Sequence, residues 1–214
     1  MVKLLIVDDH HIVRVAVSKM LADEDWIDIV GEASCGEDAV TLAREVEPDI
    51  VLMDIKMQGI GGLEATRKIV RTLPECKVIA LSALVEETFA TRALEVGASG
   101  YLSKGTDPAE MIQAIRQVSC GQRYLSSEIA QKIALSRMSP GKENPFDNLS
   151  DRELQIALMV VTCQKVSDIS DKLFLSPKTV NTYRYRIFDK LQVTSDVELT
   201  HLAIRHNMID MESL

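Results

Sequence analysis

Leu4-Leu5-Ile6-Val7-Asp8-Asp9-His10 begins as an unbroken apolar run and stops abruptly at two adjacent acids. A short run without alternation reads as a strand buried on both faces, the kind found in parallel sheets that helices cover on either side. The first strand is placed at Lys3 to Val7, and Ile50 to Met53, Val78 to Leu81 and Gly100 to Leu102 have the same form. Helical patterns lie between them, so the first half of the chain alternates strand and helix as α/β domains do. Each run is followed by a polar group: Asp8-Asp9, Asp54, Ser82 and Lys104. Open α/β sheets bind ligands beyond the carboxyl ends of their strands, so these groups are expected to share one pocket.

Three carboxylates, a hydroxyl and an ammonium in one pocket suit phosphoryl transfer to an aspartate. Crowded carboxylates repel unless a cation neutralises them, and a hard, oxygen-loving ion such as Mg²⁺ is the usual answer. Asp54 is then the nucleophile, Lys104 offsets the charge of the incoming phosphoryl group, and Ser82 hydrogen-bonds a phosphate oxygen. Such a site is a switch and not an enzyme of metabolism, with at most weak self-dephosphorylation. His10 and His11 beside the acids lack matching Cys or His ligands elsewhere and are read as surface residues at the first turn of a helix.

The stretches LLIVDDH, VLMDIKMQGIGGLEATRKI and ASGYLSKG resemble the receiver domain of two-component response regulators, from the first strand to about residue 122. The resemblance implies a doubly wound, five-stranded parallel sheet of flavodoxin-like order 2-1-3-4-5. It also implies Asp54 as phosphoacceptor, with Asp8, Asp9, Asp54 and the main-chain carbonyl of Lys56 around Mg²⁺. Ser82 and Lys104 would contact the phosphate, and Tyr101 would be the aromatic that moves with it. Two positions depart from the family: Gln58 and Gly105 stand where prolines are usual. Gln58 is expected to leave the turn after Asp54 less rigid, since glutamine does not fix φ.

At 214 residues, 46% of them hydrophobic, the chain exceeds one typical domain and can fill two modest cores. Its apolar runs are of strand length, well short of the roughly 20 residues that span a bilayer, and no signal-peptide pattern opens it, so a cytoplasmic protein without a membrane partner is expected. Cys35, Cys76, Cys120 and Cys163 are isolated, which argues against a disulfide framework or a zinc site. The net charge of −8 argues against nucleic acid, yet Lys172, Lys178, Arg184, Arg186 and Lys190 cluster in one segment with Asp189 as the single acid from 172 to 190. Docking on phosphates depends on the face presented and not on the global sum.

That segment lies beyond a joint. Ser126 to Leu135 has helical periodicity, and SRMSPGKENPFDN, residues 136–148, reads as a flexible tether with one anchor, Phe146. Residues 1–122, 123–147 and 148–214 are thus assigned to a first domain, a linker and an all-α second domain of four helices. Ser150 and Glu153 form a capping box before a helix from Leu154 to Val161, Val166 to Leu173 is the second helix, Ser176-Pro177 starts a third, and Ser195 with Glu198 is read as a second capping box. Two short helices joined by a tight turn, the second of them basic, make a helix-turn-helix. Spacing puts Val180, Ile187, Leu191 and part of Tyr183 inward, and leaves Lys178, Asn181, Thr182, Tyr185 and Asp189 toward a DNA groove, flanked by Arg184, Arg186 and Lys190. Thr179 joins the candidate contacts at the helix start. Asn181 suits adenine, Thr182 a thymine methyl, and the cations phosphates.

LSDREL and ISDKLFLSPKTVNTYRYRIFDKL resemble the LuxR-type helix-turn-helix of the NarL/FixJ family, with Cys163 where glycine is usual, and Asn181 and Tyr183 where lysine and histidine are common. With GQRYLS and SDVELTHLAIRH added, the whole chain is similar to the GacA/UvrY/LetA group of response regulators. That likeness implies a hybrid sensor histidine kinase as phosphodonor, a homodimer on phosphorylation, an inverted-repeat site on double-stranded DNA, and promoters of small regulatory RNAs as targets. Three rivals predict other behaviour. A phosphohydrolase would carry Asp-x-Asp after its first strand, a small-molecule sensor would need an enclosed apolar pocket, and an adaptor would not bind DNA.

Overall fold

The structure, a computed structural model, describes residues 1–82, 87–137, 144–206 and 208–209. It has two compact units, Met1–Met138 and Ser139–Leu214. In the first, strands β1 (Val2–Val7), β2 (Ile27–Ala33), β3 (Ile50–Asp54), β4 (Lys77–Ser82) and β5 (Gly100–Ser103) alternate with helices α1 (His11–Leu21), α2 (Gly36–Val46), α3 (Gly61–Thr72), α4 (Glu87–Glu95) and α5 (Pro108–Ser119). All strand pairs are parallel, and the order is β2-β1-β3-β4-β5-β6. The sheet therefore has six strands where five were expected.

The added strand, β6 (Tyr124–Leu125), pairs with Gly100 and Tyr101 of β5 and leads into α6 (Ser127–Arg137). Two residues carry too little apolar pattern to register in a sequence. What holds them is their backbone pairing and the Tyr124 hydroxyl, which donates to Glu110 Oε1 of α5 at 2.9 Å.

The unbroken apolar strands are explained by two cores. Leu4, Ile6, Leu52, Ile79 and Leu81 face α1 and α5 through Val17, Leu21, Met111 and Ile115. Leu5, Val7, Val51, Met53 and Val78 face α2 and α3 through Ala39, Ala43, Ala65 and Ile69. Successive strand residues point to opposite faces, so a strand with helices on both sides has no polar face to show. Each fully buried Leu or Ile contributes about 1.5–3 kcal/mol, enough for a few to hold the strand ends in fixed register.

Of the tether, residues 138–143 lie outside the described residues. Its last part is ordered structure in the second unit: Asn144 Oδ1 accepts from Phe146 N at 3.1 Å, Pro145–Asn148 form a 3-10 turn, and Phe146 is fully buried. The four helices are α7 (Asp151–Val161), α8 (Val166–Leu173), α9 (Pro177–Leu191) and α10 (Asp196–Arg205). Ser150 and Glu153 complete the capping box of α7. At α10 only half of the expected box forms. Ser195 accepts from Glu198 N, but the Glu198 carboxylate accepts from Thr194 N and Oγ1, at 2.7 and 2.9 Å, in place of the Ser195 backbone. Cys163 has φ +58, a left-handed conformation that favours glycine, which gives the family's usual residue at this position its physical reason.

Candidate functional site

The carboxyl ends of β1, β3, β4 and β5 carry Asp8, Asp54, Ser82 and Lys104 within or just beyond their last residues. Asp8 and Asp54 are 1% exposed, and Ser82 and Tyr101 are fully buried. Lys104 Nζ lies 2.6 Å from Asp8 Oδ2 and 2.7 Å from Asp54 Oδ2, so one ammonium bridges two carboxylates delivered by different strands. The backbone of Lys104 donates to Ser82 O at 2.8 Å, tying the ends of β4 and β5 together. Asp54 Oδ1 accepts from Lys56 N at 3.0 Å, while the Lys56 ammonium sits 5.0 Å over the Phe89 ring of α4.

Burial pushes the Asp54 carboxyl up to about 6; Lys104 pulls against it, and the neighbouring Asp8 charge adds to the rise. Burial would lower the Lys104 ammonium, but the Asp54 and Asp8 carboxylates outweigh it and leave the lysine above its ordinary value. Asp54 and Lys104 are therefore both charged at neutral pH. Asp8 Oδ2 is buried with Lys104 Nζ at 2.6 Å, and Asp9 Oδ1 is buried with His10 Nδ1 at 2.7 Å. Donor atoms of Asp8, Asp9, His10 and Asp54 all lie within 4.8 Å of one another, a set that fits a divalent cation.

Two contacts of the site were not legible. Arg14 Nη1 donates to Asp8 O at 2.7 Å, one turn into α1. Glu37 of α2 reaches the loop after β3, where its Oε1 accepts from Ile60 N at 3.0 Å. That carboxylate supplies a tie for the turn in which Gln58 replaces the family proline. Gly62, at the start of α3, packs so tightly behind the site that an added Cβ would sit 1.9 Å from Asp54 O. His10, read from sequence as a bystander, has its Nδ1 2.7 Å from Asp9 Oδ1.

The second candidate site is α9. Val180, Ile187 and Leu191 are buried as the periodicity requires, Tyr183 is half-buried, and Lys178, Thr182, Tyr185, Arg186 and Asp189 are exposed. Thr182 Oγ1 donates to Lys178 O at 3.0 Å, and Thr179 Oγ1 lies 2.8 Å from Ser176 Oγ at the helix cap. Arg186 lies 6.0 Å over the Tyr183 ring. The other two cations have acidic partners that helical spacing could not reveal. Arg184 bonds Asn181 Oδ1 at 3.1 Å and pairs with Asp196 at the start of α10. Lys190 Nζ lies 2.7 Å from Glu153 Oε2, on a residue only 4% exposed. Burial works against the Glu153 charge, but Lys190 and Ser150 outweigh it and hold the carboxyl below the ordinary range.

The chain matches two family descriptions: response regulator receiver domain over residues 4–116, and bacterial regulatory proteins, luxR family, over 147–203. It is 58% identical over 214 residues to the response regulator GacA of Pseudomonas aeruginosa, covering 100% of both chains. To the response regulator UvrY of Escherichia coli it is 54% identical over 215 residues, covering 100% of this chain and 99% of the other. Among solved structures, a LuxR-family two-component response regulator from Aurantimonas sp. matches with a TM-score of 0.63 at 39% identity, over 65% of this chain and 99% of that one. The RcsB–DNA complex matches with a TM-score of 0.60 at 21% identity over 95% and 98%, a likeness of fold. With both family descriptions matched and the full-length identity to these regulators, the chain belongs to the two-component response regulators with a LuxR-type DNA-binding domain.

Proposed function

We propose that this regulator is switched by phosphorylation of Asp54 by a sensor histidine kinase of the hybrid type. The observation that carries the reading is the bridging contact of Lys104 with Asp8 and Asp54 in a pocket where both carboxylates are buried. Asp8, Asp9, Asp54 and the Lys56 carbonyl would hold Mg²⁺, which supplies positive charge against the phosphoryl oxygens. Lys104, already aligned on Asp54 Oδ2, would shift to a phosphate oxygen, and Ser82 would donate to another. Tyr101, buried in this structure, would be kept inward by that Ser82 contact.

Phosphorylation would favour a state in which the receiver domain, residues 1–122, ceases to restrain the DNA-binding domain, residues 148–214, through the linker 123–147. It would also favour a homodimer. Paired helix-turn-helix units read an inverted repeat with a gain from effective concentration. Lys178, Thr179, Asn181, Thr182, Tyr185 and Arg186 are the proposed DNA contacts. Arg184 and Lys190 reach phosphates only from the positions their acidic partners give them. Action in the cytoplasm at promoters of small regulatory RNAs follows from the likeness to the GacA and UvrY proteins.

Binding to promoter fragments, measured with and without acetyl phosphate and Mg²⁺ for wild type and Asp54→Asn, tests the reading. Wild type should gain one phosphate by mass and bind more tightly, and Asp54→Asn should do neither. Undiminished labelling of the variant, or labelling in excess chelator, would overturn it. Arg186→Glu should weaken binding to every DNA and lower the salt slope by about 0.9.

A further inference from the structure

His10 stands where an additional ligand of the acidic cluster would stand. It is the residue before α1, in extended backbone, and its own N–H donates to Asp8 Oδ1 at 2.8 Å. That bond fixes the pivot of a side chain whose ring is 68% exposed. From the pivot Nδ1 comes close to both acids. Nδ1 lies 2.7 Å from Asp9 Oδ1 and 3.3 Å from Asp8 Oδ1. Donors at right angles around an ion bound at about 2.1 Å are separated by about 3 Å, and opposite donors by about 4.2 Å. The two His10 separations bracket the first distance, and donor atoms of all four residues lie within 4.8 Å of one another. Asp9 Oδ1, the acid oxygen nearest to Nδ1, is buried.

We propose that His10 Nδ1 is a further ligand of the divalent cation in this receiver, adding an imidazole to the three carboxylates and the Lys56 carbonyl. This rests on the reading that Asp8, Asp9 and Asp54 hold that cation. The consequence is selectivity. Mg²⁺ gains little from exchanging a water for a nitrogen, whereas first-row transition ions bind imidazole well and strengthen from Mn²⁺ to Ni²⁺. The site would therefore take Mn²⁺, Co²⁺ or Ni²⁺ in preference to Mg²⁺ by a margin that His10 sets. His11, one position on, faces Arg14 at 3.4 Å and has no such role.

The test uses the untagged full-length chain. Mn²⁺ is titrated by electron paramagnetic resonance and Mg²⁺ and Ni²⁺ by calorimetry, for wild type, His10→Ala and His10→Gln. Wild type should show a directly coordinated ¹⁴N coupling on Mn²⁺, replaced by ¹⁵N when histidine is labelled and lost in both variants. Ni²⁺ affinity should fall roughly tenfold or more in both variants, with Mg²⁺ affinity changed less than about threefold. Absence of the nitrogen coupling, or equal loss for Ni²⁺ and Mg²⁺, overturns the proposal. If that happens while Mg²⁺ still supports phosphorylation of Asp54, only the role of His10 fails. If the wild type binds neither Mg²⁺ nor Mn²⁺, the cation reading itself fails, and this one with it.

Discussion

Lys104 and Lys190 are both lysines assigned to phosphates from the sequence, and the structure treats them differently. Lys104 is held between Asp8 and Asp54, the acids it was expected to work beside. Lys190, with Arg184, is held by Glu153 and Asp196, acids that no spacing rule connects to them. The difference lies in what positions each group. A parallel sheet puts every strand's carboxyl end at one edge, so order along the chain is enough to say which groups meet. A helix face says only which way a side chain leaves the backbone. Whether another helix brings an acid to it depends on packing over a long sequence separation.

The backing of the first site offers the harshest challenge to that contrast. Gly62→Ala places a methyl 1.9 Å from the Asp54 carbonyl and forces β3 and α3 apart. Unfolding in urea should show the first unit weakened by about 3 kcal/mol. A loss under about 1 kcal/mol would mean that the strand end is softer than its geometry implies.

Removing the buried charge should act in the opposite direction. The Asp54 carboxyl is raised from 3.8 to about 6, so between those values the folded chain holds a proton that the unfolded chain has released. Stability therefore falls as pH rises through that window, and the cost is complete above it. In chelator at pH 7.5, Asp54→Asn should be more stable than wild type by about 3 kcal/mol, at roughly 1.4 kcal/mol per pH unit, with the gain gone by about pH 4. Saturating Mg²⁺ should shrink it. A destabilised variant would show that Lys104 contributes more to the fold than burial of Asp54 takes away.

Glu153 has the opposite sign. Its carboxyl is held below 4.5, so its contribution is full above that value and is lost as pH falls through the lowered one. Glu153→Gln at pH 7 should cost the second unit about 2 kcal/mol through the weakened cap and the lost Lys190 pair. Lys190→Met in the same background should then cost little more. Strict additivity of the two would remove Lys190 from the structural account and return it to DNA alone. The smallest effect is at Cys163, where φ is +58; Cys163→Gly should raise the thermal stability of the second unit by about 1 kcal/mol.

Apolar runs ending in polar groups were enough to read β1, β3, β4, β5 and the groups beyond them. The inward face of α9 was legible for a related reason, since Val180, Ile187 and Leu191 repeat at helical spacing. What escaped depends on contacts without local pattern. Tyr124–Leu125 is a strand only because β5 leaves an edge beside it. Glu37 ties the loop after β3 across 23 positions, and Arg14 reaches Asp8 O from the next helical turn. The closeness of His10 to the acids was not legible because ligand spacing was sought along the chain, whereas those acids are the two residues before it and one brought in by β3.

The two edges of the sheet also bear on how copies of this chain can meet. β6 is two residues long and turns at once into a helix, so it exposes almost no free ladder. β2, at the other edge, carries Asp28 and Glu32 outward, and its register against β1 slips between Leu4 and Leu5. Short, charged and kinked edges are poor templates for backbone zipping. Crowded chains should therefore resist fibrillar, sheet-to-sheet growth, and self-association is left to helix surfaces, where side chains and not main-chain ladders choose the partner.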